Sequence, residues 1–264
     1  MIDSHCHLND ERFDTDIVEV IERAALAGVR RIVVVGYGLE SSHKAIEIVH
    51  AHSGHQGQGV QLHAVVGISP FEAATWDEST RKELIGLAQD SAVVGLGETG
   101  LDYYYQEPLP EIQHKCLIGH LHAAMELNLP LVFHLRDAAD DFFRILDHEG
   151  YSQGGVLHCF TGDERAMQMG IERGLFVSFS GILTFKKAAE LVSVARMTPL
   201  EHLLVETDAP YLAPSPFRGK RCEPAHVIHT ALLLADLKGV SFQALDAQME
   251  SNLARLFPGI DKNT

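Results

Sequence analysis

Two histidines stand two positions apart at the start of the chain, in the segment MIDSHCHLND. Side chains along a β-strand alternate between its two faces, so His5 and His7 point to the same side and Cys6 points to the other. Two imidazoles on one face can bind a single metal ion while the thiol packs outward. By the same alternation Cys159 points away from His158, which argues against either cysteine as a ligand. The His5–His7 pair therefore indicates half of a metal site, against the simpler alternative of a polar chain start.

Further residues of metal-binding types end short apolar runs later in the chain. They are Glu98 in GLGETGLDYY, His134 in VFHLRDA, His158 in LHCFTG, and Glu206 and Asp208 in LLVETDAPYL. A single carboxylate in such a place usually caps the next helix. Several of these residues on one rim favour a metal site, because a buried carboxylate requires a partner or a cation.

The set of ligands is larger than one tetrahedral ion needs, and we expect a binuclear divalent-metal site. His5, His7 and Asp208 would bind one ion. His134 and His158 would bind the other, and Glu98 would bridge the two. Open positions for water make such a site catalytic rather than structural. Mixed nitrogen and oxygen ligands suit Zn, Mn, Co or Fe better than Ca, with Mg a further option.

This ligand set predicts a hydrolase that activates water. Bound divalent ions lower the pKa of water toward ~7, so that hydroxide becomes available near neutral pH. Asp208 is the expected general base, and Glu98 is the second expected catalytic carboxylate.

Cationic residues close to the expected ligands indicate how a substrate could be held. Arg136 lies two positions after His134 and could bind a phosphate in a bidentate manner. The alternative is an ion pair with one of the aspartates in the segment 137–141. Arg218 and Lys220, in the motif RGKRCEP, are candidate phosphate contacts, with a solvated turn as the alternative.

Three consecutive tyrosines follow Glu98 after a short interval. Tyr103, the first of them, is a candidate substrate-binding residue that could stack on a nucleobase. The alternative is a lid over the site. Asp102 either orients a metal ligand or caps the local turn.

The elements that must position these residues alternate along the chain. We expect eight strands, over residues 1–7, 30–36, 60–68, 92–98, 129–135, 154–160, 175–181 and 202–208. Amphipathic helical segments separate them, and residues 239–259 predict a terminal helix on the outside. Eight strand–helix units favour a closed (β/α)8 TIM barrel, with functional residues at the C-terminal ends of its strands. A doubly wound sheet is the alternative, but no GxGxxG follows the first strand.

The composition of the chain limits the classes of protein to which it can belong. The 264 residues contain no linker-like segment, so we expect a single domain over 1–264. A formal net charge of -15 means that any phosphate substrate needs local cations. The sequence has no membrane span, no signal peptide and no evident obligate protein partner, which favours a cytoplasmic protein. The four scattered cysteines favour reduced thiols.

The motifs HCH, GETGLDYY, FHLRDA, HCFTG, ETDAPYL and RGKRCEP, in this order, resemble those of the TatD family of metal-dependent hydrolases. The resemblance implies a TIM-barrel hydrolase with the same six ligands and with phosphate contacts from Arg136 and RGKR. Several family members are deoxyribonucleases acting on single-stranded or damaged DNA ends. This sequence departs from the pattern at Ser69 and Phe71, which replace imidazoles of a GxHPH-like loop, and at Cys222, where Asn is usual.

Two chemistries remain open. The first is phosphodiester hydrolysis by a DNase resembling a 3′–5′ exonuclease, supported by the cationic loop, the tyrosines and the resemblance. The second is hydrolysis of an amide, lactone or aminoacyl ester, supported by the acidic surface and the altered loop GISPF. A structural zinc in a binding protein is the third alternative, and it fits least well because such sites are closed and rich in thiolates.

Overall fold

The computed structural model of the chain describes residues 1–53, 59–105 and 107–261. The segment SGHQGQG, residues 53–59, predicts a surface loop, and its positions 54–58 lie outside the described residues.

Eight strands form one parallel sheet in chain order. They are β1 (Ile2–Cys6), β2 (Arg31–Val35), β3 (Gln61–Val66), β4 (Val93–Asp102), β5 (Leu131–Arg136), β6 (Gly155–Leu157), β7 (Phe176–Phe179) and β8 (Leu203–Val205). Main-chain hydrogen bonds then join the two edges: His7 N–H donates to the Ala209 carbonyl at 2.7 Å, and Asp208 N–H donates to the His5 carbonyl at 3.0 Å. The predicted (β/α)8 barrel is confirmed.

Helices cover the outside of the barrel. They are α1 (Ile17–Leu26), α2 (Leu39–His52), α3 (Glu78–Leu87), α4 (Pro110–Leu127), α5 (Ala139–Glu149), α6 (Glu164–Glu172), α7 (Ala189–Met197), α8 (Val227–Lys238) and α9 (Phe242–Leu256). The last of these is the predicted terminal helix. Ser241 caps its start, because the Ser241 hydroxyl accepts a hydrogen bond from Ala244 N–H. Among the described helices, none combines the length and apolar character needed to cross a bilayer.

The strands read as continuous apolar runs because both of their faces are covered. In β2 the four residues Ile32 to Val35 are all buried, between the barrel interior and the surrounding helices. This pattern is typical of parallel sheets, in contrast to the alternation of a half-exposed strand.

The observed strands differ in length from the predicted ranges, and for three of them the difference changes where a candidate ligand lies. β4 was expected to end at Glu98, yet it continues to Asp102, and its register against β5 shifts between Gly97 and Thr99. β6 and β8 stop at Leu157 and Val205, so His158 and Asp208 lie on the segments that follow these strands.

The turn after β3 is anchored from outside the barrel by α4. His120 is fully buried, and its Nε2 accepts a hydrogen bond from Ile68 N–H at 3.1 Å. The Trp76 ring packs over this imidazole, with ring centroids 4.4 Å apart. Gly119 lies directly under the indole, because a Cβ built there would be 2.2 Å from Trp76 Cζ2.

We therefore expect Gly119→Ala to lower the free energy of unfolding by about 1–3 kcal/mol, the cost of overpacking a filled core. The matched control is Gly86→Ala in α3, where a Cβ would meet no atom within 4 Å. That substitution should raise the same quantity by about 0.4–1 kcal/mol. Urea unfolding curves of the two variants measure both effects. Equal stability of the two variants would contradict the tight contact at Trp76.

Candidate metal centre

Six side chains meet at the C-terminal end of the barrel, and four of them are buried. They are His5, His7, Glu98, His134, His158 and Asp208. They form two groups of three, and within each group the possible ligand atoms lie within 4.8 Å of one another. A third group, of His5, His158 and Glu206, meets the same distance limit and shares one residue with each of the other two. The six side chains are those of the residues that the sequence pattern predicts as ligands on one rim of the barrel.

The first group consists of His5, His7 and Asp208. The two Nε2 atoms of the histidines are 3.2 Å apart. Asp208 Oδ1 lies 3.4 Å from His7 Nε2 and 3.8 Å from His5 Nε2. His7 Nδ1–H donates to the Val35 carbonyl at 2.8 Å, which leaves the lone pair of Nε2 directed at the other two residues.

Asp208 reaches this group through its local backbone. Its φ of 57° places it in the left-handed region, which aspartate tolerates better than most residues. Together with the hydrogen bond from Asp208 N–H to His5, this conformation turns the carboxylate toward the histidines of β1.

The second group consists of Glu98, His134 and His158. Glu98 Oε1 lies 3.0 Å from His134 Nδ1 and 3.2 Å from His158 Nε2. Its second oxygen, Oε2, lies 3.7 Å from the Nε2 atoms of both His5 and His7. One carboxylate thus presents one oxygen to each group.

The ionisable groups of this centre have pKa values shifted away from their ordinary ranges. Burial by itself would raise the pKa of Glu98, but the imidazoles of His158 and His134 hold that pKa well below its ordinary value. Burial lowers the pKa of His5 well below its ordinary value, and the neighbouring His158 and His7 act in the same direction. Burial by itself would also lower the pKa values of His7, His134 and His158, but contacts with Asp208, Asp102 and Glu98 respectively raise them. An ionised carboxylate and a neutral imidazole are the forms that bind divalent cations, so Glu98 and His5 are ready to bind one, whereas binding by the other three imidazoles would release their protons.

Two further carboxylates support the ligands from behind. Asp102 Oδ2 accepts a hydrogen bond from His134 Nε2–H at 2.8 Å, so that Nδ1 faces the site. Asp102 Oδ1 also accepts from the N–H groups of Tyr104 and Tyr105, so this residue both orients a histidine and caps a turn. Glu206 is fully buried; its Oε1 lies 3.3 Å from His158 Nδ1 and accepts from Cys159 N–H.

Cys159 corrects a sequence-based inference. Strand alternation predicts that its side chain points away from that of His158, yet Cys159 lines the same cavity. Because β6 ends at Leu157 and Cys159 has a φ of 43°, strand alternation no longer applies there. Its thiol lies 3.3 Å from Ser180 Oγ, and burial raises its pKa well above the ordinary value.

A cavity of ≈ 640 Å³ opens above the two groups. Its wall combines charged, aromatic and apolar side chains. The lining outside the ligands is Tyr37, Ser69, Phe71, Glu72, Tyr105, Leu135, Arg136, Cys159, Thr161, Ile182, Tyr211 and Leu212.

Arg136 lies on this wall, with its guanidinium 3.6 Å from the centroid of the Tyr104 ring. Two of the three aspartates considered as its alternative partners are engaged elsewhere: Asp140 pairs with Arg165, and Asp141 pairs with Arg144. Arg136 is thereby held by an aromatic face, with its charge available to the cavity.

Three predicted substrate-binding residues, Tyr103, Arg218 and Lys220, are absent from the described lining of the cavity. The Tyr103 hydroxyl donates to Asp141 at 2.8 Å and lies 2.6 Å from His114 Nε2, which fixes the ring between α4 and α5. Tyr105 lines the cavity instead. The run of three tyrosines alone does not indicate which of them faces the cavity.

The RGKR motif at residues 218–221 serves local packing in part. The Arg218 guanidinium lies 3.5 Å from the Phe185 ring centroid. Arg221 pairs with Asp16 and Glu223, which joins the loop after β8 to the start of α1. Cys222, where the sequence departs from the family pattern, is fully buried next to this network.

Known proteins share the sequence pattern and the fold of this chain. The model of the family described as TatD related DNase matches residues 2–258. The uncharacterized metal-dependent hydrolase YabD of Bacillus subtilis is 37% identical over 258 residues, covering 97% of this chain and 98% of that protein. The 3′-5′ ssDNA/RNA exonuclease TatD of Shigella flexneri is 33% identical over 263 residues, covering 97% and 98%. The crystal structure of YJJV, a TatD homolog from Escherichia coli, superposes with a TM-score of 0.89 at 26% identity, covering 98% of each chain.

Fold and relatives together define a metal-dependent hydrolase that acts on ester bonds. The chain belongs to the TatD family, and the resemblance seen in its motifs is confirmed.

The hydrogen bond between Asp102 and His134 generates a prediction about metal affinity. In Asp102→Asn the amide would donate to His134 Nε2 and move the ring proton to Nδ1, the atom that faces the site. We expect metal affinity to fall about 10–100-fold, as is typical when the outer partner of a histidine ligand is lost. Calorimetric titration with Zn²⁺ or Mn²⁺ measures it. Asp141→Asn, on an exposed carboxylate that contacts no candidate ligand, is the matched control, and equal affinities in the two variants would contradict the tautomer argument.

Proposed function

We propose that this protein is a binuclear metal-dependent phosphodiesterase that trims single-stranded DNA from its 3′ end. The observation that carries the proposal is the arrangement of Glu98, which directs one oxygen to each of two groups of ligands. This geometry favours two divalent ions, of Zn, Mn, Co or Mg, held by the six candidate ligands. When bound, such ions polarise a phosphoryl oxygen and lower the pKa of water.

Asp208 is the better placed of the two carboxylates to accept a proton. Its side chain is 14% exposed to the cavity, whereas that of Glu98 is 6% exposed and enclosed by four imidazoles. A water molecule in the cavity can therefore reach Asp208 more easily. We assign general-base action to Asp208 and a bridging role to Glu98.

Arg136 is assigned to the substrate phosphate. Of the lysines and arginines in residues 1–53, 59–105 and 107–261, it alone lines the cavity. A guanidinium suits bidentate contacts with phosphate oxygens. In a chain with a formal net charge of -15, this local cation is what a phosphodiester would need beside the metal ions.

The shape of the site favours action at a strand end. The cavity volume falls within the ~300–1,000 Å³ range of pockets for small ligands, and the ligand groups are buried at its floor. A terminal nucleotide fits such a cavity better than a continuous duplex does. The single-stranded substrate and the 3′–5′ direction are carried over from the name of the Shigella relative.

The context of the proposed activity follows from less specific observations. We propose a single hydrolase domain over residues 1–264, since one barrel contains both ligand groups. All four cysteines are free, which supports the reducing environment of the cytoplasm. The partner we propose is the nucleic-acid substrate.

A second candidate function is hydrolysis of an amide, lactone or aminoacyl ester. Glu72 also lines the cavity and adds a negative charge to a described wall whose one arginine is Arg136. Such a wall would tolerate a neutral or cationic substrate as well as a phosphodiester.

The assignment of the general base generates a prediction about the rate of the reaction. Asp208→Asn keeps an oxygen ligand but removes the proton acceptor, and we expect kcat on single-stranded DNA to fall about 10²–10⁴-fold. The measurement is shortening of a 5′-labelled oligonucleotide with Mg²⁺, Mn²⁺, Co²⁺ or Zn²⁺. The control is Asp140→Asn, whose side chain is paired with Arg165 at the surface. If the unaltered protein cleaves a lactone or aminoacyl ester but no oligonucleotide, the second candidate function replaces the first.

The two arginine positions can be tested against each other. Arg136→Ala should raise KM for the oligonucleotide about 10–100-fold, the range expected for losing a hydrogen bond to a charged group. Arg218→Ala should leave KM unchanged, because Arg218 packs on Phe185 away from the cavity. An increase in KM for Arg218→Ala alone would move the phosphate contact to the loop after β8.

A further inference from the structure

Four large aromatic side chains line the cavity and remain substantially exposed. Tyr37, Phe71, Tyr105 and Tyr211 have 36%, 44%, 53% and 48% of their surface accessible. Water-exposed aromatic surface grouped around one cavity is typical of a site that a ligand covers. Phe71 is the most informative of the four, because its side chain has no group that could hydrogen-bond to water or to a polar substrate.

The Phe71 ring stands between the candidate metal centre and Tyr105. Its centroid lies 5.4 Å from that of His134 and 5.7 Å from that of Tyr105, with interplanar angles of 72° and 74°. Phe71 and Tyr105 thus form an aromatic corner, which we call the Phe71–Tyr105 corner, beside a candidate ligand of the second group.

The backbone that carries Phe71 is fixed in place. Phe71 belongs to a 3-10 helix over Pro70–Thr75, and Ser69 N–H donates to the Tyr37 carbonyl at 3.0 Å. Ile68, which precedes Ser69, is held by a hydrogen bond from its N–H to the buried imidazole of His120. A ring on such an anchored segment loses little freedom when a ligand stacks on it, which favours binding.

The same corner adjoins the cation assigned to the phosphate. Tyr105 packs edge to face on Tyr104, with ring centroids 5.0 Å apart, and Arg136 lies over the Tyr104 ring. An anion-binding group and an aromatic surface therefore sit side by side on one wall. A nucleotide has the same pairing of features, a phosphate next to a flat base.

We propose that the Phe71–Tyr105 corner is a stacking subsite for a nucleobase next to the scissile phosphodiester. The inference rests on the proposed nuclease function and adds a determinant of specificity to it. A base can enter the corner only when it is unpaired, so the subsite selects frayed or single-stranded ends. Stacking is tolerant of base identity, since every base has an aromatic face.

The test compares two substrates and three proteins. One 5′-labelled single strand is normal, and the other has abasic tetrahydrofuran residues in place of its last two nucleotides. For the unaltered protein we expect kcat/KM to be about 5–150-fold lower on the abasic strand, the factor associated with one base–aromatic stack. Phe71→Ala should lose a similar factor on the normal strand and little more on the abasic one. Phe71→Tyr, which keeps the aromatic face, should retain most of the activity on the normal strand.

Each other result overturns the inference in a distinct way. Equal cleavage of both strands by the unaltered protein would remove the stacking subsite and leave the nuclease function intact. Equal loss on both strands in Phe71→Ala would show that Phe71 acts by supporting His134 rather than by contacting a base. Failure to cleave either strand with any of Mg²⁺, Mn²⁺, Co²⁺ and Zn²⁺ would overturn the nuclease proposal and the subsite together.

Discussion

A buried carboxylate surrounded by four imidazoles is the constraint on which the site depends. Glu98 would be too costly to bury as an isolated anion, and its own pKa would then rise. The contacts with His134 and His158 keep it ionised at the centre of the barrel mouth. The imidazoles come from β1, from β5 and from the segments that follow β1 and β6, so the anion is stabilised only when these parts of the barrel come together. Folding and assembly of the ligand set are therefore one event.

Three other acidic residues near this centre differ in their tasks because their surroundings differ. Asp102 and Glu206 lie behind His134 and His158 and accept hydrogen bonds from them, which fixes the nitrogens that face the site. Asp208 lies at the cavity surface, placed there by the main-chain bonds that close the barrel between β8 and β1. Depth in the barrel thus separates the residues that orient ligands from the one that can meet water.

The barrel and the six candidate ligands could be inferred from the sequence because both follow from periodic patterns. Apolar runs separated by helical segments determine the strand order, and His5 and His7 share a face by alternation alone. The inference failed where local backbone conformation or a side-chain contact decides the direction in which a side chain points. Cys159 faces the cavity because β6 ends early and its φ is positive, and Tyr103 is held away by His114 and Asp141. Neither a positive φ at one residue nor a contact between distant segments leaves a periodic pattern in the sequence.

The acidity of the chain shapes how a polyanion could be recognised at this site. Proteins that bind nucleic acids mainly through the phosphate backbone present many cations, whereas the described cavity wall offers Arg136 alone. Metal ions at the floor would supply the remaining positive charge, and it would act only on the phosphate that reaches them. The exposed rings of Tyr37, Phe71, Tyr105 and Tyr211 then offer the contact area that backbone electrostatics does not. On this view an acidic surface repels the rest of the strand and leaves the end, with its unpaired base, as the part the cavity can hold.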